Sequence, residues 1–212
     1  MTRHMNPRVR SRIGIGVVIA VLSFSIAAGP GRVSAVAAGA KAARSCPGSN
    51  APPRSETLAQ TERTVLCLLN AERAARSLTA LALDPRLQTA AERHAQDMGA
   101  RDFFDHVTPD GIGVIARVRA AGFPSAGAKL AENLAWGSGR FGRPAMVVKN
   151  WMNSPPHRAT ILNPAMCQVG IGIALDAPQP DITGAVTYTA DFVGETSGRT
   201  PRAQRRLSRR AR

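Results

Sequence analysis

Three side chains in this sequence can move protons or hold a cation near neutral pH, and each sits in a distinctive local setting. They are His106 in Phe103-Phe104-Asp105-His106, Glu132 in Ala131-Glu132-Asn133-Leu134-Ala135, and His157 in Asn153-Ser154-Pro155-Pro156-His157-Arg158. The chain has four histidines in all, so these segments hold half of them. Each segment borders Pro, Gly or a helix boundary, where side chains face a cleft more readily than a core. Two imidazoles and one carboxylate meet the three-ligand count of an open zinc site. Spacing alone does not bring them together. Other chemistry is poorly supported. Ser154 lies close to His157 but has no G-x-S-x-G context, and Cys167 has no local catalytic signature. There is no H-E-x-x-H, P-loop or dinucleotide fingerprint. Asp105, Asp110 and Arg158 read as turn and capping residues.

The elements that must position these groups follow from periodicity. A first helix is expected from Glu56 to Arg76, with Leu58, Val65 and Leu69 on one side. A second is expected from Pro85 to Ala100, with Asp84 as N-cap, Pro85 at the first position, and Leu87, Ala90, Ala91 and Met98 on its apolar side. His94 falls on that side and reads as a hydrogen-bonded core histidine. A short third helix spans Gly113 to Ala121, stopped by Gly122. A fourth begins at Pro144, carries Met146, Val147 and Trp151, and stops before Pro155-Pro156. Two strands close the domain, Gln168 to Leu175 and the alternating Val186 to Val193. Helices first and strands late indicate an α+β fold.

The chain has 212 residues and a formal net charge of +14, and that charge belongs to its ends. Seven Lys or Arg lie within residues 1–45 and seven Arg within 198–212, with no acid in either stretch. The remaining 14 basic residues face all 14 Asp and Glu, so the centre is formally neutral and has no surplus for a nucleic-acid-binding face. No nucleic-acid partner is expected. Residues 1–40 read as a signal peptide: a basic start to Arg12, an uncharged stretch from Ile13 to Ala28, then small residues offering A-x-A sites. The alternative is a retained N-terminal membrane anchor, for which the apolar stretch is short against the ~20 residues a span needs. Residues 41–55 read as a linker and 56–195 as the folded domain. Residues 196–212 read as a disordered Arg-rich tail, either simply solvated or adhering to an anionic cell-wall or membrane surface. In an oxidising compartment Cys46 and Cys67, 21 apart, are expected to form a disulfide, leaving Cys167 as a buried thiol.

Several blocks in one order resemble the CAP superfamily (cysteine-rich secretory proteins, antigen 5, pathogenesis-related 1) in its bacterial secreted form. They are Cys67-Leu68-Leu69-Asn70-Ala71-Glu72-Arg73, Phe103-Phe104-Asp105-His106-Val107-Thr108-Pro109-Asp110-Gly111, Ala131-Glu132-Asn133-Leu134-Ala135-Trp136, Trp151-Met152-Asn153-Ser154-Pro155-Pro156-His157-Arg158, Val169-Gly170-Ile171-Gly172 and Tyr188-Thr189-Ala190-Asp191-Phe192. The resemblance covers about residues 62 to 194. It implies an α-β-α sandwich, one antiparallel sheet between helical layers. It also implies a cleft shared by His106, Glu132 and His157 that binds a divalent metal, such as weakly held zinc, and an extracellular ligand (lipid, protein or cell-wall material). The alternative it implies is a metal-dependent, peptidase-like hydrolase with the same three residues catalytic. The family's second Glu, shortly after the tryptophan of the fourth helix, is missing here, where Met152, Asn153 and Ser154 follow Trp151. Ala131 and Pro156 replace the usual Gly without removing a functional group. If Glu132 orients an imidazole from behind, only two ligands remain, and metal binding is expected to be weak and pH-sensitive.

Overall fold

The computed structural model describes residues 46–54 and 57–194. The signal-peptide and tail assignments lie outside the described residues. Helix α1 (Leu58–Ala74) comes first, then β1 (Ala82–Leu83), α2 (Pro85–Ala100) and α3 (Val114–Ala120). After these come β2 (Lys129–Ser138), a 3-10 turn (Gly139–Gly142), α4 (Pro144–Asn153), α5 (Pro155–Ile161), β3 (Met166–Ala174) and β4 (Ala185–Gly194). The sheet order is β1-β3-β4-β2. The three long strands are antiparallel, as the resemblance implies, and the two-residue β1 adds itself in parallel along the outer side of β3.

Helix α2 begins as its sequence predicts. Asp84 accepts hydrogen bonds from the main-chain N–H groups of Arg86 (2.9 Å) and Leu87 (3.4 Å), and Pro85 needs no partner at the first position. Helix α4 ends at Asn153, as expected before the Pro pair. The same prolines then open α5, the favoured place for Pro, in a helix that periodicity did not reveal. Strands β1 and β2 were also not expected. Strand β2 reads Lys-Leu-Ala-Glu-Asn-Leu-Ala-Trp-Gly-Ser, with few β-branched residues, and only tertiary context makes it a strand.

Cross-strand partners share a face, so the register assigns every side chain to a layer. Val169, Ile171, Ile173, Tyr188, Ala190 and Phe192 face α1, α4 and α5, packing on Val65, Leu69, Val147, Trp151 and Ile161. On the opposite face lie Glu132, Gly170, Gly172, Thr189, Asp191 and Val193, covered by α2 and α3 through Leu87, Ala90 and Val118. Helix α2 lies so near β3 that a Cβ on Gly170 would stand 2.0 Å from the Leu87 carbonyl carbon, and one on Gly172 2.1 Å from the Glu92 nitrogen. The two layers make an α-β-α sandwich.

The expected disulfide is present: Cys46 and Cys67 are bonded, with Cα atoms 5.8 Å apart. It fastens the segment before α1 to that helix, helped by Thr64 donating to the Pro47 carbonyl (2.7 Å). Cys167 departs from the buried thiol expected. It is half-buried near the start of β3, its sulfur 3.7 Å from the Val193 carbonyl oxygen. Arg73 is fully buried and donates to the carbonyls of Thr79 (2.8 Å), Ile161 (2.7 Å), Asn163 (3.0 Å) and Met166 (2.8 Å). A single guanidinium thus fixes α1 to the end of α5 and the entry to β3.

Glu62 of α1 accepts from Gln88 Nε2 of α2 (2.6 Å), and the same amide donates to Glu92 (3.1 Å). Burial, then the Glu92 charge, push the Glu62 carboxyl up to about 7, against a smaller opposing pull from Arg63. Folding therefore favours the protonated form. The stability this gives is complete below about pH 4.5 and lost as pH climbs through about 7. Glu62→Gln is expected to stabilise the chain at pH 8, by at most ~3 kcal/mol, with the gain vanishing near pH 5. Urea unfolding at both pH values measures it. Gly170→Ala is expected to cost about 3 kcal/mol or more in the same assay, because backbone rather than a flexible side chain blocks the added methyl.

Candidate functional site

Glu132 is the centre of the site. Its side chain is 2 % exposed, yet it carries a charge. Three elements supply the compensation. His106, in the loop after α2, donates from Nδ1 to Oε1 (2.7 Å). Arg117, on α3, donates from Nη2 to Oε2 (2.5 Å) and holds the loop by donating from Nη1 to the carbonyls of His106 and Ile112, both at 2.9 Å. His94, on α2, places Nε2 3.9 Å from Oε2. Burial pushes the Glu132 carboxyl up, but the His106 hydrogen bond and then the Arg117 charge outweigh it, and the group sits below the usual carboxylate range.

The imidazoles respond in opposite directions. The hydrogen bond to Glu132 raises His106 against the effect of burial. Its side chain is 55 % exposed, and with Nδ1 committed to the carboxylate, Nε2 is the nitrogen left for a ligand. His157, near the start of α5, is lowered by burial and then by the charge of His106, so it is neutral near pH 7. Its carbonyl accepts from Asn133 Nδ2 of β2 at 3.2 Å, which holds α5 against that strand. His94 is buried and hydrogen-bonded, as its position on α2 suggested: Nε2 lies 3.0 Å from the Asp105 carbonyl. Burial lowers it, and with Nε2 donating, Nδ1 is an acceptor that has no hydrogen-bond partner among the described residues.

Two residues not singled out by sequence reasoning belong here. Arg117 is one, a basic residue on a short helix that gave no motif. Asp191 is the other. It sits directly across from Glu132 on β4, is fully buried, and neither of its oxygens makes a well-formed hydrogen bond among the described residues. Burial first, then the neighbouring Glu132 charge, push its carboxyl well above the usual range. The pair therefore shares one negative charge, carried by Glu132, with the proton on Asp191. The clue was available in the polar phase of β4: in a three-layer fold, that phase faces a helix rather than water.

Of the three residues singled out from the sequence, His106 and Glu132 are in direct contact, and His157 is near enough for His106 to influence its charge. Both Glu132 oxygens are occupied, so the acid orients His106 from behind and leaves the exposed Nε2 of that ring unengaged by the carboxylate. Among the described residues, no three His, Cys, Asp or Glu side chains gather closely enough to enclose a metal ion. Asp105 caps its own turn, accepting from the Val107 N–H at 3.0 Å, and Asp110 pairs with Arg101. Ser154 flanks the junction of α4 and α5.

Comparison with known proteins identifies the family and the fold. The model of the cysteine-rich secretory protein family matches residues 66–192. The uncharacterised protein YkwD of Bacillus subtilis (strain 168) is 33 % identical over 136 residues, 63 % of this chain and 47 % of that protein. The uncharacterised membrane protein YlbC of the same strain is 30 % identical over 115 residues, 53 % of this chain and 31 % of that protein. The chain thus spans less than half the length of either relative. Among solved structures, an extracellular SCP-domain protein of Bacillus anthracis str. Ames aligns with a TM-score of 0.54 at 22 % identity, over 68 % of this chain and 45 % of that one. An outer surface protein of Borrelia burgdorferi aligns with a TM-score of 0.52 at 19 % identity, over 63 % and 91 %. Both likenesses concern the fold, and both neighbours are extracellular or surface proteins by their descriptions. No helix among the described residues is long and apolar enough to cross a membrane.

Two outcomes follow from the site's electrostatics. In Glu132→Gln the His106 pKa is expected to fall, because burial then acts without the opposing carboxylate, and in His106→Ala the His157 pKa is expected to rise. Histidine NMR titrations read both. Asp191→Asn, replacing a neutral acid with a neutral amide, is expected to hold pH 7 stability to within about 1 kcal/mol in urea unfolding. A much larger loss would mean that Asp191 carries the charge.

Proposed function

The chain belongs to the cysteine-rich secretory protein (CAP) family, and from that premise we propose that it is an extracellular binding module whose His106–His157 cleft takes a divalent cation together with an extracellular ligand. The observation that carries this reading is the exposed His106 ring, backed by a buried carboxylate and within electrostatic reach of a neutral His157. A carboxylate behind an imidazole fixes its tautomer and raises its basicity, and a neutral imidazole is the form that ligates. Glu132 contributes from the second rank, because its oxygens already serve His106 and Arg117. Two protein ligands make for weak binding that fails when the rings protonate. A bound cation supplies Lewis acidity to whatever ligand atom meets it.

The second reading, a peptidase-like hydrolase using the same cleft, has one observation in its favour. The Glu132–His106 contact is the arrangement that turns an imidazole into a general base. In that case His106 takes the proton, and Glu132, buried and doubly bonded, orients it. The secreted location and the ligand's class belong to the same proposal.

Zinc titration of the purified chain by calorimetry is expected to show weak saturable binding at pH 7.5. Binding should be lost in His106→Ala and in His157→Ala, and should fall sharply by pH 5.5. Heat that is absent in the parent chain, or unchanged in both variants, would remove the cation from the proposal. Peptide hydrolysis abolished by His106→Ala would favour the enzyme.

A further inference from the structure

Strand β2 is ten residues long and lies at the margin of the sheet, with β4 on one side only. The register shows which of its main-chain groups face outward. Asp84 N–H donates to the Val169 carbonyl (3.1 Å), so Val169 turns its main chain toward β1 and its neighbour Gly170 turns toward β4. Gly170 pairs with Asp191, so Asp191 directs its N–H and C=O at β3 and away from β2. Its other partner, Glu132, therefore points its own N–H and C=O off the sheet. An independent contact agrees: the Trp151 indole N–H reaches the carbonyl of Leu134, two residues on and in the same phase, at 2.9 Å. In this phase, the outward groups of Leu130 and Glu132 have no hydrogen-bond partner among the described residues. The exposure of Glu132 says the same. The residue as a whole is partly exposed while its side chain is 2 % exposed, so its accessible surface is main chain.

We propose that this edge, from Leu130 to Glu132, receives an extended polypeptide segment as an added strand, with its main chain running past His106 and His157. The inference rests on the cleft reading and names the ligand class it would take. Leu130 and Glu132 offer two donors and two acceptors spaced two residues apart, the repeat of an extended peptide. Both histidine-bearing segments meet this strand: the His106 ring bonds the Glu132 side chain on one face, and the main-chain carbonyl of His157 is bonded by Asn133 on the other. The rim beside His106 is apolar and exposed, with Phe104 at 43 % and Val107 at 46 %, and would meet alternate side chains of the incoming strand. A slender chain fits this edge better than a second copy of the domain. The Trp151 indole caps Leu134 and Asn133 ties α5 to the strand, so the free run ends at Glu132 and offers only a short edge to a second globular domain.

The test uses the purified full chain and a fluorescein-labelled nonapeptide of alternating valine and serine with lysine at each end. Saturable binding by anisotropy is expected for the parent chain. Leu130→Pro removes one outward N–H without touching the ladder to β4, a place where edge strands accept proline, and is expected to weaken binding roughly tenfold or more. Leu130→Ala should bind as the parent does. Peptides N-methylated at alternate residues probe the unaltered protein: methylation in one phase should abolish binding, and in the other phase leave it intact. No saturable binding, equal binding by Leu130→Pro, or indifference to methylation phase overturns the proposal. So does self-association of the chain that Leu130→Pro abolishes, which would give the edge to a second copy. Zinc titration of Leu130→Pro separates the two readings, because the cation site should survive there even where peptide binding fails.

Discussion

A buried negative charge governs the arrangement of this site. A carboxylate withdrawn from water persists only where cations and hydrogen-bond donors surround it. Glu132 collects them from the His106 loop and from α3, with the His94 ring of α2 close beside it. Arg117 does two things at once, neutralising the acid and gripping the carbonyls that shape the His106 loop. The position of His106 is thus an electrostatic outcome as much as a packing one. The Asp191 proton completes the balance: two ionised carboxylates in adjacent cross-strand positions would repel one another with no water to screen them.

The two sides of the sheet do different work. One is a dry core, where Trp151, Tyr188 and Phe192 are buried and polar tips are matched singly, the Tyr188 hydroxyl to the Gly142 carbonyl at 2.6 Å and the Trp151 indole to Leu134. The other carries the polar assembly of His94, Glu132, Thr189 and Asp191 beneath α2 and α3. Strand β2 joins them, contributing Asn133 to the first side and Glu132 to the second. The two imidazoles are shifted in opposite directions, His106 upward by its carboxylate partner and His157 downward by burial and by the charge of His106.

The sequence revealed most where a local rule decides the outcome. Asp84 and Pro85 announce the start of α2, the Pro pair announces the end of α4, and the strict alternation of β4 announces a strand. His106 and Glu132 could be put in one cleft only through resemblance to a family, since no spacing rule connects a loop to a strand 26 residues away. Strand β2 escaped notice because Ala, Asn and Glu are weak strand formers, and its pairing with β4 is what holds it extended. Asp191 and Arg117 escaped for a related reason. An acid in the polar phase of a strand looks solvated until a helix is known to cover it, and a lone arginine on a seven-residue helix signals nothing until its partner is placed.

The absence of two methyl-sized atoms reaches further than the strand that lacks them. Gly170 and Gly172 let the backbone of α2 settle against β3, and that helix then runs straight into the loop that bears His106, closed by Phe103 N–H to the Met98 carbonyl at 3.1 Å. The seat of the helix sets the height of the loop above the sheet, and so the reach of an imidazole toward the acid below it. Chemistry on one strand is in this way calibrated by bare backbone two strands away on the same face. A sequence could keep every polar group of the cleft and still lose its alignment through one added carbon on a strand that never touches a ligand.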